Sequence, residues 1–223
     1  MKTIAFVSLT AIAAAVVSAD TVQMQFGGVS RGSNVSIRVN GGSSHNVFAG
    51  SVIHNIDTIR TVTYCIDPDQ WASTGTNVFE QTALEVALSH RSFNADKADA
   101  IARIAKVAGQ DIWSETVATD LASAFQLAVW EVVLDYNPGA GAGSLDLGLG
   151  NFKAAGVNGS SLSGSISGLV AHLFSGMQSA TGNPNNFVAY TNRSHQDFMT
   201  QIPAPGAAAL ALMGLPLLAT RKR

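Results

Sequence analysis

Cysteine is nearly absent: Cys65 is the single one in 223 residues, so no disulfide forms within the chain. Charge is scarce as well, at 13% of residues. A chain this poor in charge and this rich in apolar residues, 47% of the total, carries enough material for a core and does not fit disorder. No Lys/Arg cluster lies in the body and the formal net charge is −2, which excludes a basic nucleic-acid-binding face. The five histidines, His45, His54, His90, His172 and His195, form no closely spaced pair. That spacing gives no support to a zinc site, which wants clustered His, Cys or carboxylates, and no metal or cofactor is expected. No internal repeat is visible. Asn34, Asn158 and Asn192 each open an Asn-x-Ser triplet, read here as coincidence.

The two ends differ from the body. Lys2, the apolar run Ile4 to Val17 and the small residues Val17-Ser18-Ala19 read as a secretory signal peptide over residues 1–19, with cleavage leaving Asp20 first. Export places the chain in an oxidising compartment, where a lone thiol is an anomaly. At the far end, residues 203–223 comprise a Pro203-Ala204-Pro205-Gly206 break, an apolar run from Ala207 to Ala219 and the basic Arg221-Lys222-Arg223. The run is short for a spanning helix and holds Pro216. It resembles the PEP-CTERM sorting signals that exosortases read, with Pro-Ala-Pro where the motif has Pro-Glu-Pro. The resemblance implies an exosortase-like processing enzyme and membrane attachment through the tail before processing. A plain C-terminal membrane tail is the alternative. Both place the protein at the cell envelope or surface. Without the two ends the body, residues 20–202, keeps nine basic against fifteen acidic residues.

The body divides by period. Thr21 to Phe26, Val35 to Val39, Val47 to Ile56 and Thr58 to Ile66 read as strands separated by Gly, Asn and Ser clusters. Asp67-Pro68-Asp69 stops the fourth, so Cys65 falls near a strand end. Phe79 to His90 has helical spacing at Leu84, Ala87 and Leu88. Asn94 caps a second helix that runs through Ala108 and stops at Gly109, with Ile101, Ile104 and Ala108 on one face and Lys97, Arg103 and Lys106 elsewhere. A third helix starts at Ser114 or Thr116 and runs to about Tyr136, where Asn137-Pro138-Gly139 ends it. Gly139 to Gly150 reads as a loop whose tail, Ser144 to Gly148, forms an edge strand. Ile166 to Met177 reads as a helix, and Asn186 to Tyr190 and Asp197 to Ile202 as closing strands. Strands, then helices, then strands predict an α+β fold: an antiparallel β-sandwich or barrel-like part with an inserted helical subdomain.

Gln126 sits inside the most apolar helical pattern, 61 positions after Cys65, on a face with Ala122, Val129, Trp130 and Val133. Burying an unbonded amide costs roughly 2–7 kcal/mol, so this amide needs an explanation. One that joins both anomalies is attack of Cys65 on the Gln126 carboxamide with loss of ammonia, leaving an internal thioester. Tyr64-Cys65-Ile66 and Gln126-Leu127-Ala128-Val129-Trp130 resemble the two motifs of the thioester domains of bacterial surface proteins. Phe125 stands where that family carries Thr. The resemblance implies Cys65 and Gln126 as the reacting pair, with Tyr64, Phe125, Ala128 and Trp130 in support. It further implies a single-turnover covalent binder, adhesin-like, rather than a turnover enzyme. Its partner is an amine-bearing surface protein or polysaccharide-associated ligand, joined through an isopeptide-type cross-link. A non-covalent structural envelope or matrix protein of the same fold is the alternative. A cysteine hydrolase is a third reading, although no local protease signature surrounds Cys65. Asp67 and Asp69 read as turn chemistry ahead of a calcium contact. Glu131, a quarter-turn from Trp130, is expected to face solvent or the subdomain edge.

Overall fold

A computed structural model describes residues 20–88 and 93–202. The leader and tail segments, and His90, lie outside the described residues. Seven strands form one antiparallel sheet: β1 (Thr21–Val39), β2 (His45–Ile56), β3 (Ile59–Cys65), β4 (Thr76–Ala83), β5 (Phe152–Gly156), β6 (Phe187–Asn192) and β7 (His195–Gln201). Three helices accompany it: α1 (Ala95–Ala108), α2 (Thr119–Asp135) and α3 (Gly164–Gly176). The architecture is α+β, as the element order predicts.

β1 organises the sheet. Its first residues pair with β4, its last with β5, and most of its length with β2 on the other edge. The neighbour order is β2-β3-β7-β6-β4-β1-β5, with β2 also on β1, so six strands join in a closed circuit. The two runs Thr21–Phe26 and Val35–Val39, expected as separate strands, are halves of this one. The Gly- and Ser-rich stretch between them stays paired to β2 and carries two register shifts. Such bulges bend a strand and let its halves serve different partners. Gly32 and Gly50 face each other there: a Cβ on Gly32 would stand 2.7 Å from the Gly50 Cα, so both positions need bare backbone.

α1 begins and ends where its caps predict. Asn94 Oδ1 accepts from Lys97 N at 3.1 Å, and Gly109 adopts φ 86° at the C-terminus. Lys97 departs from expectation. Its stem is buried and its Nζ donates to Val133 O at 2.7 Å, tying α1 to α2 rather than pointing away. Burial lowers its pKa, and the nearby Asp135 carboxylate partly offsets that. α3 is capped by Ser163, whose Oγ accepts from Ile166 N at 3.2 Å.

Three boundaries are corrected. Residues 79–88 are not helical: Phe79 lies in β4, held between β1 and β6, and only a 3-10 turn follows at Leu84–Val86. Leu84, Ala87 and Leu88 are buried all the same, so their spacing records burial without a helix. The third helix starts later than expected. Ser114 Oγ accepts from Thr116 N at 3.1 Å, a local hydroxyl turn that competes with helix, and α2 begins at Thr119. The edge strand expected at Ser144 to Gly148 is not formed: Ala142–Ser144 is a 3-10 turn, residues 145–150 carry no strand, and the edge strand is Phe152–Gly156. Asp135 supports that edge, accepting from Asn151 N at 2.9 Å and Phe152 N at 2.7 Å.

α2 lies at the centre. It packs on β1, β2 and β5 on one side and on α1 and α3 on the other, and every residue from Ala122 to Val133 is buried. A helix apolar all round is stable only when enclosed in this way. That run has three polar members: Ser123 Oγ donates back to Thr119 O at 3.0 Å, while Gln126 and Glu131 need partners from outside the helix.

Candidate functional site

Cys65 is the last residue of β3. β2 leaves β3 at the pair Val52 and Thr63, two residues before it. β7 continues along the other edge, with Cys65 opposite Phe198 and Ile66 N donating to Asp197 O at 2.9 Å. The edge of Cys65 that β2 has vacated would leave a buried N–H and C=O without partners. Gln126 fills that gap from α2. Its Oε1 accepts from Cys65 N at 2.9 Å, and its Nε2 donates to Cys65 O at 2.7 Å. The carboxamide thus acts as a one-residue extension of the sheet, and both groups are almost wholly buried.

The Cys65 sulfur has two polar neighbours. Its thiol donates to Asp67 O at 3.3 Å, and it accepts from Trp130 Nε1 at 3.2 Å. Burial pushes the thiol pKa well up; the Trp130 N–H pulls the other way, and the Asp67 and Asp197 charges add to the rise. The thiol thus hydrogen-bonds a main-chain carbonyl and an indole N–H, with the Asp67 and Asp197 carboxylates close enough to act on it by charge.

The residues expected in support divide by role. Tyr64 is fully buried, and its hydroxyl donates to Ile112 O at 2.9 Å. Its ring lies edge-on to Phe125 at 4.7 Å and to Trp113 at 5.5 Å. Burial raises its pKa, with a hydrogen bond to Ser51 acting against it. Phe125 completes that aromatic cluster, 5.9 Å from Trp113. Ala128 is fully buried within α2. Trp130 alone among the four contacts the sulfur by hydrogen bond.

Asp67 is buried, and its Oδ1 accepts from Asp69 N at 3.1 Å, the local turn that Asp-Pro-Asp predicts. Asp67 O also accepts from Gln196 Nε2 at 3.2 Å, and the same amide reaches Gln70 O at 3.0 Å. Glu131 contradicts the expected exposure: it is fully buried. The reason is the loop 137–150, which folds over α2 so that Asp146 N donates to Glu131 Oε1 at 2.7 Å. Among the described residues Glu131 Oε2 has no hydrogen-bond partner. Burial drives this carboxyl up to about 8; the Asp146 N–H opposes that, and the Asp135 and Asp146 charges reinforce it.

A cleft of about 460 Å³ opens beside the pair. Trp130 and Gln196 form part of its wall, so the residues that touch Cys65 Sγ and Asp67 O on one side meet the cleft on the other. Pro68, Asp69, Trp71 and His45 line its mouth. Sequence reasoning singled out none of these last as a group. The available signal was a tryptophan placed directly after a turn. Among the described residues, no group of three His, Cys, Asp or Glu side chains is arranged to hold a metal ion, and no helix is long and apolar enough to cross a membrane.

Comparison with family models, with curated proteins and with solved structures finds no match.

Proposed function

We propose that this protein is an exported surface protein whose Cys65 and Gln126 form an internal thioester that captures a partner amine covalently. The observation that carries the proposal is the two-point hold of the Gln126 carboxamide on the Cys65 backbone, at 2.9 Å and 2.7 Å. The reacting groups therefore belong to residues already fixed against each other, which removes most of the orientational cost of an intramolecular attack.

The chemistry follows from that placement. Cys65 Sγ adds to the Gln126 side-chain carbon, and the negative charge that develops on Oε1 meets the Cys65 N–H, an oxyanion donor already in position. The C–N bond then breaks. The thiol proton leaves with the nitrogen as ammonia, and the S–C(O) bond remains. In the capture step a neutral amine adds to the same carbon and the C–S bond breaks. Sulfur departs as thiolate, a far better leaving group than an amide nitrogen because thiols ionise near 8.5. The amine's proton returns to sulfur. The product is an amide between Gln126 and the partner, with one free Cys65 thiol. The Trp130 N–H, 3.2 Å from Sγ, stabilises the departing thiolate. The event occurs once per molecule.

A second reading has its own observation. The Gln126 amide already has a hydrogen-bond partner at each end, so it satisfies the buried Cys65 backbone without reacting. The protein is then a non-covalent structural component of the envelope with the same fold. Intact-mass measurement separates the two. A thioester lowers the mass by one ammonia, methylamine converts the deficit into an adduct on Gln126 with one titratable thiol, and Cys65→Ala and Gln126→Ala each abolish the deficit. Full sequence mass with a free thiol under native, amine-free conditions rejects the covalent function.

A further inference from the structure

The turn after β3 is pinned by a single residue of β7. Gln196 N donates to Trp71 O at 3.1 Å, and its Nε2 donates to Asp67 O at 3.2 Å and to Gln70 O at 3.0 Å. Those three bonds fix the backbone beneath Trp71, yet the Trp71 side chain is 68% exposed. A large apolar ring is thus presented to solvent on a tethered segment, with His45 edge-on to it at 6.2 Å and 86°. Trp71 lines the cleft of about 460 Å³ together with the uncharged side chains of Ser43, Asn46, Gln70 and Gln196. Among the described residues that line it there is one carboxylate, Asp69, and no lysine or arginine. A second depression, of about 720 Å³, shares Gln70 with the first. It is lined by Thr82, Thr191 and Asn192, with Glu80 and Asp197 set against Arg193. The two together make a path across Gln70. One end is aromatic, the other is rich in hydroxyls and amides, and neither carries a formal excess of positive charge.

We infer that these two depressions form a binding site for an uncharged polysaccharide chain, with Trp71 as its stacking platform. The inference is independent of the thioester reading and holds equally for a chain whose Cys65 and Gln126 never react. A pyranose ring presents a face of C–H groups and a rim of hydroxyls. The C–H face complements the negative π face of an indole. Each hydroxyl both donates and accepts, as does each carboxamide, so Asn46, Gln70 and Gln196 match the rim without any charge being buried. An apolar cleft with a few polar groups that fix orientation is the usual form of a small-ligand site. Continuity across Gln70 favours a polymer over a single sugar, because one residue of the chain rests on Trp71 while the next units meet the threonines and Asn192. Acidic polysaccharides find no lysine or arginine in the first depression and two carboxylates against one arginine in the second. A hydrophobic peptide would fill the apolar part of the cleft and take nothing from the amides on either side of Gln70. Tethering the turn through Gln196 holds the platform in its binding position before the ligand arrives, which lowers the ordering cost of association.

Titration of the full-length protein with defined oligosaccharides tests this, read by calorimetry and by the Trp71 indole resonance. The neutral probes are cellohexaose, chitohexaose and mannohexaose; the acidic probe is hexagalacturonate, and decaproline stands for an apolar peptide. The expected result is saturable binding of at least one neutral hexaose with a shift of the Trp71 resonance. The corresponding disaccharide, too short to pass Gln70, should bind about tenfold more weakly, and Trp71→Ala should weaken the hexaose by about tenfold or more. Trp71→Tyr keeps an aromatic face and should restore most of that loss. Trp71 is exposed, so both variants should match wild type in urea unfolding. Gln70→Ala should weaken the hexaose several-fold and leave the disaccharide nearly unchanged. The site is overturned if no neutral hexaose binds at millimolar concentration, or if binding survives Trp71→Ala intact. It is equally overturned if hexagalacturonate binds best, or if decaproline shifts the Trp71 resonance and the sugars do not. No amine is present and the readout is binding alone, so absence of a thioester by mass leaves this result standing.

Discussion

Glu131→Gln isolates a buried carboxyl one residue from Trp130. In the folded protein Glu131 titrates at about 8, against an ordinary value of 4.5. Between these two values the folded protein holds a proton that the unfolded chain has released. Stability therefore falls as pH rises through that window, by about 1.4 kcal/mol per pH unit for one proton. His54 acts in the opposite sense. It is buried between the Phe26 and Phe198 rings, its Nδ1 lies 2.8 Å from Thr63 Oγ1, and burial lowers it from 6.5 to about 4. The unfolded chain holds the extra proton in that range, so this contribution to stability rises with pH. The two slopes oppose each other up to 6.5, where the unfolded imidazole stops titrating. From there to about 8, Glu131 acts alone, and the loss amounts to about 2 kcal/mol. A glutamine keeps an oxygen to accept from Asp146 N and removes the titration. The measurement is urea unfolding of both proteins across this range. The expected outcome is a wild-type stability that falls by about 2 kcal/mol relative to the variant between the two ends. Every other titrating group is common to the two proteins and cancels in the difference. Parallel curves would show that the folded carboxyl ionises near its ordinary value, and the argument from burial would be wrong.

Three further outcomes follow from the hydrogen bonds of the fold. Gln126→Ala leaves the Cys65 N–H and C=O buried without the partners Gln126 gives them and should cost about 2–6 kcal/mol, since each such group costs about 1–3. Cys65→Ala leaves an intact Gln126 carboxamide able to make both backbone bonds, so its cost in urea separates the readings: about 3 kcal/mol if the thioester forms, from about 4 for a cross-link closing a loop of this length less about 1 for the Nε2 bond that loss of ammonia removes and the variant regains, and about 1 kcal/mol if only the sulfur contacts are lost. Asn94→Ala removes the side-chain cap of α1 and should lower thermal stability by about 1 kcal/mol. A larger loss there would show that Asn94 has a role beyond its 3.1 Å bond to Lys97 N.

What the sequence made legible is what local physics dictates. Alternating Val, Ile and Thr located β2 and β3, Asn94 and Gly109 bounded α1, and the pairing of one cysteine with one misplaced amide brought residues 61 apart to a single contact. What it hid depends on tertiary context. Leu84, Ala87 and Leu88 have helical spacing because they reach the same core, but the chain enters that core from a strand. Phe152 to Gly156 lacks the β-branched residues of a recognisable strand and pairs only because β1 bends to meet it. Glu131 reads as solvent-facing on a helical wheel, and a loop some 15 positions later covers it. The cleft joins residues from β1, β2, the turn after β3, α2 and β7, so no single stretch announces it.

Phe125 can now be judged by its surroundings. It departs from the motif of the thioester domains that the sequence resembles, where a threonine would have a hydroxyl to offer the reacting carbonyl. In this fold its ring packs edge-on against Tyr64 and Trp113, and Trp113 in turn meets Phe187 of β6 at 5.7 Å. That cluster locks the end of β3 to α2 and so fixes the two backbone bonds on which the pair depends. The donor facing the Gln126 oxygen is the Cys65 N–H, which belongs to the main chain and is independent of the side chain at position 125. The site therefore exchanges a possible hydroxyl for a rigid aromatic brace, and holds its carboxamide by a contact that no substitution at Phe125 removes directly. On the proposed thioester reading, the reaction would depend on how well that brace keeps Cys65 against α2, and the packing of Tyr64, Trp113 and Phe125 would be part of the reacting geometry.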